Sequence, residues 1–389
     1  MKTIVLLLLG STMCLTAQAG IEDCSLNGES VSASNGHTTA GKTGIMRCKD
    51  RDTGEMLSER ELKNGVFMGL ERFYRNGKLA RERYVNEKGN SHGKAKEFAA
   101  NGQVLLDENY VNAQERGISQ RWNEKGQLIE VRYRGEAADE KAMVRFNPDK
   151  TLAELECGKK PWLGNYANDA EYCGFKAKAT TKLYSEAAKL RSEFILVNGE
   201  AQRATYYRND GSIESVEEIT NGKRTEKQYF GNGKIRREKA WFNASRPLIL
   251  ERETEYHESG SKIAEKLYQL SEKEGRKFSE LRQDSSYYLN GQNKTLIKYS
   301  FEGKNEIRDV QLFHDNGKLS EQGRSISEGR YSRRYVGVHQ VFNNEGKLQR
   351  EAHYDDQGRL QRERIWDASG KLQSDDLLFE DGSRKAYSK

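Results

Sequence analysis

Glycine returns along this chain at a nearly fixed interval, and that interval restricts what the chain can fold into. Near the C-terminus, Asn344-Glu345-Gly346-Lys347-Leu348 is followed by Asp356-Gln357-Gly358-Arg359-Leu360 and Ala368-Ser369-Gly370-Lys371-Leu372. Gly346, Gly358, Gly370 and Gly382 stand 12 residues apart. The N-terminal half has the same grammar, with Gly54, Gly65, Gly77 and Gly89 stepping by 11, 12 and 12. Asn76-Gly77, Asn101-Gly102 and Lys125-Gly126 open matching copies. Aromatics fall in phase between the glycines: Phe73, Tyr84, Phe98, Tyr110, Trp122 and Tyr133, then Phe342, Tyr354 and Trp366.

A regular turn signal of this kind reads as repeated β-hairpins. Asn-Gly and Asp-Gly supply the positive φ angles that tight hairpin turns need. A turn every 12 residues leaves strands of ordinary length. Gly77, Gly102, Gly126, Gly346, Gly358 and Gly370 are therefore expected as structural turn positions. Charged runs such as Arg81-Glu82-Arg83 and Arg362-Glu363-Arg364 alternate poorly with apolar residues. They imply strands solvated on at least one face, with Arg–Glu pairs across strands. No unit can bury its aromatic alone, so neighbours must stack. The expected fold is mainly β: an elongated antiparallel β-hairpin repeat meander, open to a bend into two lobes.

Composition fits such a surface-rich fold. Of 389 residues, 32% are charged and 35% hydrophobic, and the mean hydropathy is −0.93. Disorder is the usual alternative at this polarity, but 19 Tyr, 13 Phe and 4 Trp at regular places argue against it. Only 3 prolines occur, as continuous hydrogen-bonded strands require. The net charge is +6, with the two signs interleaved. Nucleic-acid binding calls for a concentrated basic face instead, so no nucleic-acid partner is expected.

Residues 1–19 read as a cleaved signal peptide. Lys2 is the positive n-region, Ile4 to Gly10 the apolar core, and Ala17-Gln18-Ala19 the cleavage signal, with Gly20 first in the mature chain. The apolar run is too short to span a bilayer, and Met13 before Cys14 fits a lipobox poorly. The expectation is a periplasmic protein without a transmembrane anchor, monomeric when free. Residues 20–44 read as an irregular cap, 45–134 as a first repeat block, 135–199 as an interruption and 200–389 as a second block. Within the interruption, Thr181 to Leu196 fits a helix or a strand pair equally.

Without the signal, four cysteines remain: Cys24, Cys48, Cys157 and Cys173. An even number in an exported chain suggests disulfides, and four allow three pairings. The local pairing, Cys24–Cys48 and Cys157–Cys173, closes the shortest loops. The second would close an aromatic loop carrying Trp162, Tyr166 and Tyr172, which are candidate partner-binding residues. The bland alternative makes that loop a packed cap. Metal binding is disfavoured, because no CxxC spacing or nearby histidine accompanies either pair.

The signature aromatic-x-x-Asn-Gly-Lys-Leu-x-x-Glu-x-x-Tyr resembles the variant MORN repeat of bacterial proteins. Phe73 to Tyr84 carries it in Asn76-Gly77-Lys78-Leu79, Glu82 and Tyr84. Phe342 to Tyr354 and Tyr354 to Trp366 carry it with Glu351 and Glu363 in the acidic place. The resemblance implies a β-hairpin array of the antitoxin or immunity type. It implies a protein toxin as partner, with a type VI secretion lipase or phospholipase effector foremost, and brings no catalytic residues.

The residues themselves suggest no chemistry. None of the six histidines sits in a metal-ligating or nucleophile-activating motif, and no GxSxG, P-loop or GxGxxG occurs. Paired acids such as Asp355-Asp356 read as solvated turns. The expectation is a protein that is not an enzyme and needs no cofactor. It inhibits a toxic effector by occlusion; an envelope scaffold is the alternative.

Overall fold

The computed structural model describes residues 21–328, 332–379 and 381–386. The signal-peptide reading of residues 1–19 lies outside them. The chain divides into two compact units, residues 1–170 and 171–389.

The first unit carries a 13-stranded antiparallel sheet. Chain neighbours pair along most of it, from Gly44–Asp50 to Leu152–Glu156. The start departs from this order: Glu22–Leu26 lies between Glu29–Val31 and Gly44–Asp50. The segment expected as an irregular cap thus supplies two strands and a one-turn helix, Gly36–Thr39. It also brings the apolar cluster of this sheet. Cys24, Leu26, Val31, Met46, Cys48 and Leu62 pack together, each no more than 7% exposed. Cys24 and Cys48 are directly opposite in the register and are disulfide-bonded.

The second unit is a 17-stranded meander in strict chain order, from Ala179–Tyr184 to Arg384–Lys385. Thr181 to Leu196, which fitted a helix or a strand pair, forms strands Ala179–Tyr184 and Leu190–Val197.

The glycine rhythm lapses between 135 and 199 for a simple reason. Turns persist there, but other residues take the glycine place. In the turn 147–151, Lys150 has φ +69; in the turn 185–189, Ala188 has φ +57. Both repeat the hydrogen bonds of the glycine turns: Lys150 N–H to Asn147 O, and Ala188 N–H to Ser185 O. Strands Lys141–Phe146 and Leu152–Glu156 extend the first sheet. The irregular stretch shrinks to 157–178.

Two kinds of turn recur. The first is a five-residue turn with a register shift beside it, as at 230–234. Only its fourth residue is left-handed, as at Gly233. The second is a two-residue turn with both residues left-handed, as at Asn76-Gly77 and Asn221-Gly222. Asn-Gly was expected to supply positive φ at both positions. In the five-residue turns the asparagine instead bridges hairpins. Asn232, Asn290 and Asn316 donate their side-chain amides to carbonyls of Glu258, Asp315 and Asn344, in the next turn of the same kind.

The strands are rich in charged residues, and register explains how that is tolerated. Arg47, Glu59, Arg72, Glu82, Lys96 and Asp107 stand opposite one another on six successive strands. Glu226, Lys239, Glu253, Lys266 and Asp284 form a second such row. Signs alternate along both rows. Each cross-strand pair contributes ~0.2–1 kcal/mol, so the rows support the backbone ladder where apolar burial is scarce.

Candidate interaction surface

The loop after Glu156 is organised by a buried acid. The Leu163 and Gly164 N–H groups donate to the Asp169 carboxylate at 3.0 and 3.1 Å. Asp169 is 1% exposed, so these bonds offset the burial of its charge. Sequence reasoning missed this residue, because a lone aspartate in a polar loop carries no signal. Trp162 stacks on Tyr133 with ring centroids 5.2 Å apart and planes 15° from parallel. Its indole lies on Gly158, where a Cβ would come within 2.2 Å of the ring. Trp162 is thus occupied in packing. Tyr166 is 52% exposed and offers its ring to solvent. Tyr172 is half-buried, and its carbonyl accepts the Thr181 hydroxyl at 2.6 Å. Cys157 and Cys173 are both disulfide-bonded, as Cys24 and Cys48 are to each other.

A second feature lies in the other unit. A concavity of about 650 Å³ opens on strands Asn293–Glu302, Asn305–Phe313, Leu319–Glu328 and Ser332–Phe342. Lys298, Glu302, Asp309, Gln322, Arg324 and Asp356 contribute to its lining. It lies where Ser332–Phe342 bulges: Arg324 pairs with Val336, but Gln322 pairs with Gln340. Arg324 grips Asp309 through two bonds, at 2.6 and 3.1 Å, and this partner raises its guanidinium pKa. On the opposite face of the bulge, Tyr335, His339 and Tyr354 form a ring cluster with centroids 4.5 to 5.6 Å apart. The His339 ring covers Gly323, and its Nε2 lies 2.8 Å from Arg324 O.

This bulge recurs. In Val66–Arg75, register passes from Arg60–Glu71 to Leu62–Phe67 around Gly69. In Ser91–Phe98 it passes from Arg83–Ala95 to Val85–Ser91 around Gly93. Gly69, Gly93 and Gly117 are spaced by 24 and have positive φ, as does Gly337. In the first unit the repeat is therefore two strands with one bulge glycine, a signal that the turn glycines obscure.

The large pKa shifts hold their groups in the ordinary charge state. Burial, followed by a hydrogen bond to Glu108, pushes the Tyr110 phenol up to about 12. Tyr256 rises to about 12 through burial and then its bond to Glu238. Asp355 is held at about 2, chiefly by the backbone N–H of Arg359. Among the described residues, Glu22, Cys24 and Cys48 are grouped closely enough to suggest a metal site, but both sulfurs are consumed by the disulfide.

These features define a class: a β-hairpin repeat protein that presents broad, charge-paired sheet faces with local bulges. The sequence matches the MORN repeat variant at residues 91–112 and 335–356. Each match opens two residues before a bulge glycine, Gly93 or Gly337. These two stretches of the chain are thus similar to the MORN repeat variant. No curated protein matches the sequence. Among solved structures, TcdB2-TccC3-Cdc42 is similar at 10% identity over 93% of this chain, with a TM-score of 0.15. This chain spans 19% of that one. A porin-like protein from Bacteroides uniformis is similar at 8% identity, covering 54% of this chain and 86% of that one, with a TM-score of 0.16. Likeness at that level says nothing about function.

Proposed function

We propose that this chain is a periplasmic immunity protein that binds a toxic secreted effector and occludes it. The partner class suggested by the repeat resemblance is a type VI lipase or phospholipase. The supporting observation is the union of MORN-variant repeats with faces whose charges are already paired across strands. A general acid or base needs a pKa near the working pH. The large shifts here run the other way, with Tyr110 and Tyr256 near 12 and Asp355 and Asp367 near 2. A broad face with scattered aromatic and arginine anchors suits protein binding. Tyr166 in the first unit and Tyr335 in the second are exposed aromatics of this kind. Two disulfides fit an oxidising compartment outside the cytoplasm.

The reading is tested by deleting the gene and growing the mutant beside its parent. The mutant is expected to die only when the parent can fire its secretion system, and to be rescued by the exported protein. Survival beside a firing parent would sink the proposal. The division into two units favours one other reading, an envelope scaffold holding two partners. That reading predicts several co-purifying proteins and no change in killing.

A further inference from the structure

The two turn types treat the same dipeptide differently, and the difference is chemical. Asparagine followed by glycine can cyclise. The glycine backbone nitrogen loses its proton and attacks the asparagine Cγ. A C–N bond forms, the bond to Nδ2 breaks, and ammonia leaves. Water then opens the resulting imide to aspartate or isoaspartate. No oxidant or reductant is involved. Glycine permits this most readily because it has no side chain to hinder the approach. The reaction needs a free nucleophile and a side-chain amide free to rotate.

In the five-residue turns all three participating atoms are held. Asn232 Oδ1 accepts from Lys234 N–H at 2.9 Å, its Nδ2 donates to Glu258 O at 3.2 Å, and Gly233 N–H donates to Phe230 O at 3.0 Å. Asn290 has the same three bonds, to Gln292, Asp315 and, through Gly291, Tyr288. Asn316 has them to Lys318, Asn344 and, through Gly317, His314. The two-residue turns offer fewer restraints. At Asn64-Gly65 and Asn198-Gly199 the glycine N–H is still engaged, by Lys42 O and Cys173 O. At Asn76-Gly77 and Asn221-Gly222, none of the three atoms has a hydrogen-bond partner among the described residues, and both asparagines are exposed.

We infer that Asn76 and Asn221 are the spontaneous deamidation sites of this protein, one in each unit, and that the turn-to-turn bonds protect Asn232, Asn290 and Asn316. An isoaspartate adds a methylene to the backbone. A two-residue turn has no slack to absorb it, so the hairpins around Arg75–Lys78 and Thr220–Lys223 are where an ageing molecule loses register first.

The test is to incubate the folded mature protein in mildly alkaline buffer and map its peptides over time by mass spectrometry, resolving aspartate from isoaspartate. Asn76 and Asn221 are expected to react about tenfold faster than the three held asparagines, a difference of ~1.4 kcal/mol in barrier. In urea the five rates should converge. An Asn76→Gln, Asn221→Gln variant should lose the fast phase. Equal rates in the folded protein, or earlier reaction at Asn232, Asn290 or Asn316, would overturn the inference. So would a fast phase that survives in the variant.

Discussion

A single oxygen closes many of the turns. Asp355 Oδ1 accepts N–H bonds from Gln357 and Arg359, and Asp367 Oδ1 accepts them from Ser369 and Lys371. Asn343 does the same for Glu345 and Lys347 without a charge. Bonds of this kind, with the Ser369 hydroxyl the largest influence on Asp367, hold both aspartates at about 2. The sign follows from the depressed value. The carboxylates stabilise the fold fully above the unfolded aspartate pKa of about 3.9, and that contribution is lost as pH falls through about 2. An Asp355→Asn, Asp367→Asn variant is expected to keep both turns, as Asn343 shows, and to lose less stability over that acid window. Urea unfolding at several pH values reads this directly, and identical acid dependence in the two proteins would refute it. At this scale the sequence was only half legible. Asn-Gly announces a turn, but the letters do not say whether asparagine supplies a left-handed residue, as at Asn76, or a bridge, as at Asn316.

Among the elements, the bulged strand sets this sheet apart from a plain meander. Gly93 has φ +108, and a Cβ there would meet Tyr84 Cβ at 3.3 Å. Gly93→Ala is expected to cost about 1–3 kcal/mol, the range for a non-glycine residue forced into such a backbone region. Urea unfolding followed by circular dichroism measures it; an unchanged midpoint would show that the bulge tolerates a side chain. The 12-residue turn step was plain from the glycines, because each turn states its backbone need in one residue. The 24-residue bulge step was not, since Gly69, Gly93 and Gly117 fall among the turn glycines. The apparent gap at 135–199 had the reverse cause: Lys150 and Ala188 hold left-handed positions that a reader expects glycine to fill. The strands at 22–31 were hidden because Ser- and Asn-rich sequence resembles a loop until pairing with Gly44–Asp50 is seen.

Taken whole, the molecule replaces a large core with repetition. Backbone ladders and alternating charge rows run along both sheets, and a compact apolar cluster surrounds the Cys24–Cys48 disulfide. The described residues form wide sheet faces, and these are where the search for function turns. The candidate surface was only partly foreseeable. Of the residues marked in advance, Tyr166 is exposed, Trp162 packs on Tyr133 and Tyr172 is half-buried. The Tyr335–His339–Tyr354 cluster depends on a bulge that composition does not reveal. The central claim, that this surface silences a partner by covering it, is tested most directly by titration. The effector responsible for killing the deletion mutant is purified, and its enzymatic activity is followed as the mature protein is added. A linear fall to zero at one-to-one stoichiometry is expected. An effector that stays active with the protein in excess would contradict it.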